Sequence, residues 1–289
     1  MKKFIYVLIF LLIISAFALD IHFSSSYEEY SMYNSNWNGT SFFIDDAVSD
    51  KAVLVEDYSV LKTAENSTLL IIEPDGDFSP DELRILRDYK NRDNTVFISD
   101  ENGLSKDLLK VLGTNISVEN VNLSSIDMEY DNPEFVISYP VKNVQENNLT
   151  EGIESIALNR PAVAGGGESI ITTSILSWVD ENGNERADSN EILGKQAVLV
   201  KYGNVYLLSD SGIFQNALYK DENLKDNRKF LSNMLTGTVY IESRHSKTAS
   251  ETGFLKYINI IHKNETVKAL AIIIIILSLL FIYGGRHDK

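Results

Sequence analysis

The sequence predicts an α/β domain, a sheet flanked by helices with a β-rich middle section, followed by a C-terminal transmembrane helix. Three observations carry this. Short apolar runs without polar alternation recur in the first half, as strands buried on both faces of a parallel sheet require. Helical stretches with their own start and stop signals separate them, the pattern of βαβ units. A long aliphatic run stands near the C-terminus and is read as a membrane span.

Taken in order, "AVLVE" (52–56), "STLLIIEP" (67–74) and "NTVFISD" (94–100) are the strands of the first half. Between the second and third, "SPDELRILRDYK" predicts a helix. Ser79 is its N-cap, Pro80 its first helical residue, and Glu82 closes a capping box. Leu83, Leu86 and Tyr89 form its apolar stripe. "LSKDLLKVLG" predicts a second helix, capped by Ser105 and stopped by Gly113. From 115 to 177 the segments turn short and polar, and they read as antiparallel β structure, either an insertion or an extension of the sheet. "QAVLVKYGNVYLLSD" predicts a hairpin turning at Tyr202-Gly203-Asn204. Helical segments "GIFQNALY" and "NLKDNRKFLSNML" follow, Gly237 ends the second, and "TVYIE" is the last strand.

The ends supply an address. Lys2 and Lys3, an apolar run over 4–14 and Ser15-Ala16-Phe17-Ala18 make a secretory signal over 1–19, with a cut after Ala18; an uncleaved anchor is the second reading. The exported domain is expected over 20–245. A polar linker and an apolar-faced juxtamembrane segment (Phe254, Leu255, Ile258, Ile261) occupy 246–266. The span covers 267–284, with Lys268 at its start and an unbroken isoleucine run from Ile272 to Ile276. Arg286 and Lys289 in the tail 285–289 place the C-terminus in the cytoplasm. The main domain is therefore expected outside the cell membrane. N-x-S/T sequons at Asn38, Asn66, Asn115, Asn122, Asn148 and Asn264 are compatible with an exported glycoprotein.

Composition excludes several classes. Asp and Glu number 41 against 26 Lys and Arg, a formal charge of −15, which argues against nucleic acid as a partner. The chain has no cysteine, hence no disulfide, thiol nucleophile or thiolate metal site.

"SWVDENGNERADSNE" (177–191) sets out oxygen-bearing side chains at calcium-loop spacing: Asp180, Asn182, Asn184, Asp188 and Glu191. The turn glycine is displaced, Gly183 standing two positions early, and no amphipathic helix clearly precedes it. An acidic loop between strands is the leading reading; a weak structural calcium site is the other. The glycine triplet in "AVAGGGESI" lacks the Lys-Ser/Thr of a phosphate loop and reads as a hairpin turn. "YLLSDSGIFQN" puts Asp210, Ser211 and Asn216 where a strand gives way to a helix, at the carboxyl edge of the sheet, where α/β folds bind ligands. A serine nucleophile there needs a histidine base and an orienting carboxylate. His245 and Glu242 in "YIESRHS" follow a later strand and could approach that edge. The plainer reading is that Asp210 or Ser211 caps a helix.

These pieces in this order resemble domain-of-unknown-function family 4350, membrane-anchored proteins common in archaea. The resembling stretches are "NGTSFFIDDAV", "STLLIIEPDGDFSPDELRILRDYKNRDNTVFISDE", "SWVDENGNERADSNE", "GNVYLLSDSGIFQN" with "DNRKFLSNML", and "VYIESRH". That family is similar in fold to class I glutamine amidotransferases and to exported domains of gliding-motility and transporter accessory proteins. The resemblance implies a flavodoxin-like sheet tethered beside a membrane. It carries over no reaction, because amidotransferase chemistry needs the missing cysteine. The expected function is a non-catalytic binding or accessory component of a cell-envelope complex, with no cofactor apart from the calcium alternative. An envelope hydrolase using Ser211 or Asp210 with His245 and Glu242 is the alternative.

Overall fold

The computed structural model describes residues 26–142 and 148–251, with isolated positions beyond them. The predicted signal, juxtamembrane segment, span and tail, and the sequon at Asn264, lie outside the described residues. Among those residues no helix is long and apolar enough to cross a membrane.

Residues Glu29–Ser250 form one compact unit around a nine-stranded sheet. In spatial order, β1 (Val53–Val55), β13 (Thr238–Glu242), β2 (Ser67–Ile72), β3 (Thr95–Ser99) and β12 (Val205–Leu208) run parallel. Strands β11 (Ala197–Tyr202), β9 (Glu168–Thr173), β6 (Phe135–Pro140) and β7 (Ile156–Asn159) then continue the sheet antiparallel. The β-rich middle section is thus largely an extension of the sheet. Its remainder makes two small pairs: β4 (Ser117–Glu119) with β8 (Val163–Gly165), and β5 (Asn122–Ser125) with β10 (Ser177–Asp180).

The period-two geometry of the strands assigns the core to two faces. Leu69, Ile71, Val96, Ile98, Val205 and Leu207 pack on one side. Their partners include Leu86 and Tyr89 of α2 (Pro80–Asn91) and Leu108 and Leu109 of α3 (Lys106–Val111). Leu70, Ile72, Phe97 and Leu208 face the other way. There they meet Phe43 and Ile44 of α1 (Ser41–Ser49) and Phe230, Leu231 and Met234 of α5 (Asn227–Met234). A short helix, α4 (Asn216–Lys220), precedes α5. The result is a three-layer sandwich, which is why the parallel strands read as unbroken apolar runs.

The capping box of α2 is present: Glu82 accepts the Ser79 amide at 2.8 Å, and Ser79 accepts the Glu82 amide at 3.4 Å. The hairpin joins β11 to β12 through Gly203, φ 60°. Three local expectations change. Ser105 does not cap α3 with its side chain; Asp100 accepts the Ser105 amide at 2.7 Å instead. The glycine triplet joins β8 to β9, which lie in different sheets, so it is a corner rather than a hairpin. Gly166 has φ 76° there, and a Cβ on it would lie 1.8 Å from the Asn115 carbonyl oxygen. The stretch Ser246–Ser250, expected as linker, packs within the compact unit. Helix α1 has Thr40 at its N-cap without a side-chain cap bond, and the Thr40 hydroxyl donates to the Tyr30 carbonyl at 2.7 Å.

The edge strand β7 is closed by side chains. Asn227 accepts the Ala157 amide and donates to the Ala157 carbonyl, both at 2.8 Å, and Asp226 accepts the Glu154 and Ser155 amides. These contacts replace the missing neighbour strand. Asn227→Ala is expected to leave a buried donor and acceptor unpaired, at about 1–3 kcal/mol each. Urea unfolding and light scattering should show lower stability and a greater tendency to self-associate.

Candidate functional site

The carboxyl ends of the parallel strands deliver a set of acids to one edge: Glu73 after β2, Asp100 and Glu101 after β3, Asp210 after β12 and Glu242 ending β13. Glu73, Asp100, Asp210 and Glu242 are fully buried. Their partners show what each does.

Glu73 is the hub. Its backbone sits at φ 49°, a conformation a non-glycine residue adopts at a cost of order 1–3 kcal/mol. Its amide donates to the Ser99 carbonyl and its carbonyl accepts the Lys247 amide, both at 2.8 Å. Its carboxylate accepts from Asn102 Nδ2 at 2.5 Å and Lys247 Nζ at 3.2 Å on one oxygen. The other oxygen accepts from Ser211 Oγ at 2.7 Å. Ser211 Oγ also lies 3.0 Å from Ser99 Oγ. One carboxylate therefore joins the turns after β3, β12 and β13.

Asp210 accepts the Asn159 amide at 2.9 Å and the Gly212 amide at 2.6 Å. It caps the turn that follows β12 and pins the end of β7, the plainer of the roles expected for it. Burial, then the neighbouring Glu101 charge, pushes its carboxyl well above the usual carboxylate range. Glu101 accepts the Tyr30 hydroxyl at 2.8 Å. Burial and then the Glu73 carboxylate raise Glu101 to about 7.

The chain's own N-terminal segment covers this edge. Asn216 donates to the Asn34 and Asn36 carbonyls at 2.9 and 2.7 Å and accepts the Phe42 amide at 3.0 Å. Its own amide donates to the Gly39 carbonyl at 2.7 Å. Asp210, Ser211 and Asn216, expected to meet a ligand, are instead buried and occupied in holding the chain together.

The expected approach of His245 to Ser211 or Asp210 does not hold. His245 Nε2 lies 3.2 Å from Glu82 Oε2, without the alignment of a hydrogen bond. Its ring packs against Phe78 and Tyr58, with centroids at 4.7 and 5.9 Å. Glu242 orients no imidazole: it accepts the Tyr58 hydroxyl and the Arg244 and His245 amides at 2.7–2.9 Å, together with the Ser246 hydroxyl. Strand geometry explains the separation. β13 lies between β1 and β2, whereas β12 lies beyond β3; sequence alone does not order the strands.

In the acidic loop, Asp180 is buried and accepts the amides of Gly183, Asn184 and Glu185. Asp188 accepts from the Asn182 and Asn184 side chains at 2.8 and 2.9 Å, and Glu191 from the Asp188 and Glu181 amides. The five side chains thus fold the loop on itself. Among the described residues no group of three or more His, Cys, Asp or Glu is placed to hold a metal ion. Of the sequons, Asn66, Asn115, Asn122 and Asn148 are exposed, while Asn38 is half-buried and accepts from Asn34 at 3.0 Å.

Glu82 sets an acid limb, and Glu101 together with the buried Asp210 sets the opposite one. Burial pushes the Glu82 carboxyl up, but the Ser79 hydroxyl and amide and His245 outweigh it and bring it down to about 2. Its stabilisation is present above the ordinary carboxylate range and is lost as pH falls toward 2. Glu101, raised to about 7, binds its proton more tightly folded than unfolded, so stability falls as pH rises from the ordinary carboxylate range to about 7. Thermal melts are expected to peak near the lower end of that window. Glu101→Gln should flatten the limb toward neutral pH, and Glu82→Gln the acid limb. Glu73→Ala, leaving Ser211 and Lys247 without their acceptor, is expected to cost about 3 kcal/mol or more by urea unfolding.

Comparison with known proteins adds the following. No curated protein matches the chain. Among solved structures it is similar to the mmIFT52 N-terminal domain, at 14% identity and a TM-score of 0.49, over 67% of this chain and 89% of that one. It is also similar to alpha-L-fucosidase isoenzyme 2 from Paenibacillus thiaminolyticus, at 15% identity and a TM-score of 0.34, covering 61% of this chain but 25% of the fucosidase. A family model matches residues 32–235, which takes in every strand of the sheet but β13, the acids of the edge apart from Glu242, and the loop of 180–191. The chain therefore belongs to the family described as domain of unknown function DUF4350.

Proposed function

We propose that this protein is a non-catalytic binding or accessory component of a cell-envelope complex. Its α/β domain would lie outside the membrane, held by the C-terminal aliphatic segment. The observation that carries this reading is the occupation of the carboxyl edge. Ser211 Oγ hydrogen-bonds to a buried carboxylate and a second serine, whereas serine hydrolysis needs an imidazole on that atom. His245 has its contacts with Glu82, Phe78 and Tyr58 instead. A sealed edge supports a rigid scaffold whose partners meet its outer surface.

Membrane tethering and export rest on the sequence: the lysine-led apolar run at the start, the isoleucine run near the end and the basic residues after it. The flavodoxin-like, amidotransferase-like ancestry fits the parallel half of the sheet with helices on both faces.

The test is recovery of the full-length protein from its native membrane through a tag after Lys289. A stoichiometric partner that is retained in Ser211→Ala is the expected result. Turnover of ester, amide or glycan substrates that Ser211→Ala abolishes would favour the hydrolase and contradict the proposal.

A further inference from the structure

A cavity of about 320 Å³ opens on the α5 face of the sheet, at the amino ends of β2 and β3 and so at the opposite end from the acid cluster. Strand register builds it. Lys201 stands opposite Tyr206, Tyr206 opposite Phe97, and Phe97 opposite Leu70, one cross-strand row over β11, β12, β3 and β2. Thr68 and Thr95 pair two residues earlier on the same face. All six line the cavity, and Met234 and Asn233 at the end of α5 overhang it.

Its chemistry departs from the rest of the molecule. In a chain carrying 41 acidic residues, no carboxylate stands among its described lining residues, where Lys201 is the one charged side chain. Glu168 stands opposite Lys201 in the register of β9 and β11, yet among the described residues no carboxylate forms an ion pair with Lys201. The ammonium lies over the Tyr206 ring, 5.3 Å from its centroid. Tyr206 and Phe97 are near-parallel, 16° apart with centroids at 6.2 Å. Elsewhere this face of β2 and β3 is apolar at Leu70, Ile72 and Phe97. Thr68 and Thr95 depart from that pattern where the cavity opens and line it.

We propose that this cavity is a binding site for a small organic monocarboxylate with a flat apolar body. The carboxylate meets Lys201 at the β11 end, and the body lies along Tyr206 and Phe97 over Leu70 and Met234, toward Thr68 and Thr95. The volume is at the small end of ligand pockets, about 300–1,000 Å³, which suits one ring and a short acidic arm. A cation at one end of an apolar floor selects an anion, because a neutral analogue forfeits the charge-assisted bonds.

The test is isothermal titration of the full-length chain in nanodiscs, with empty nanodiscs as the blank. The probes are phenylacetate, 2-phenylethanol and 2-phenylethylamine. Phenylacetate is expected to bind saturably, the alcohol about tenfold or more weakly, and the amine not measurably. Lys201→Met, which keeps a stem against Tyr206, should bring phenylacetate down to the alcohol's level. Thr68→Leu, which fills the cavity without touching the charge, should abolish both. Circular dichroism checks that each variant is folded. Equal binding of acid and alcohol, phenylacetate binding undiminished in folded Lys201→Met or Thr68→Leu, or no binding of phenylacetate to the parent chain would overturn the proposal.

Discussion

The carboxylate of Glu73 is the interaction on which the arrangement of the sheet's carboxyl edge depends. It is fully buried on a backbone that residues other than glycine rarely adopt, and only surrounding structure can hold it so. That structure is Asn102, Ser211 and Lys247, each from a different turn. Burying a carboxylate is tolerable only when it is paired and hydrogen-bonded. Glu73 meets the condition by tying together elements that are distant in sequence. The covering segment at Tyr30, the cap at Asp210 and the turn at Ser246 are arranged around it.

This edge is where an α/β fold ordinarily offers a ligand site, because the strand order opens a crevice there. Here the crevice holds the chain's own residues. Strained backbone, buried acids and shifted titrations are features that elsewhere signal catalysis. In this protein each has a local structural cause: burial and mutual repulsion raise Asp210 and Glu101, and the Ser79 capping box with His245 lowers Glu82. The open cavity, with no carboxylate among its described lining residues, lies at the other end of the strands beside Lys201. Where the fold class suggests binding, the buried acids are engaged by the chain's own groups, and the cavity of about 320 Å³ opens at the opposite end.

Much of the architecture was legible because it rests on local chemistry. The apolar runs at β2 and β3 gave a two-sided parallel sheet, and Ser79, Pro80 and Glu82 marked the start of α2. Gly203 marked the hairpin. What was not legible depends on contacts distant in sequence. Nothing near Ser105 reveals that Asp100 takes its amide. Thr40, a favoured cap residue by type, makes no cap bond to helix α1 and donates to Tyr30. The pairing of Ser211 with Glu73 joins positions far apart in the chain, and no spacing rule predicts it. His245 was placed near Ser211 by analogy of strand ends, and the insertion of β13 between β1 and β2 separates them. The pocket had a faint signal: threonines at the first inward positions of β2 and β3, ahead of Leu70 and Phe97 on that face.

Amide hydrogen exchange at the carboxyl edge tests most directly whether that edge is sealed. The amides of Asn159 and Lys247 donate to Asp210 Oδ2 and to the Glu73 carbonyl. A sealed edge opens only when the whole domain unfolds, so these amides should exchange as slowly as those within β2 and β3. Exchange at Asn159 and Lys247 many-fold faster than in those strands would show an edge that opens within the folded domain, and would contradict the role assigned to Glu73.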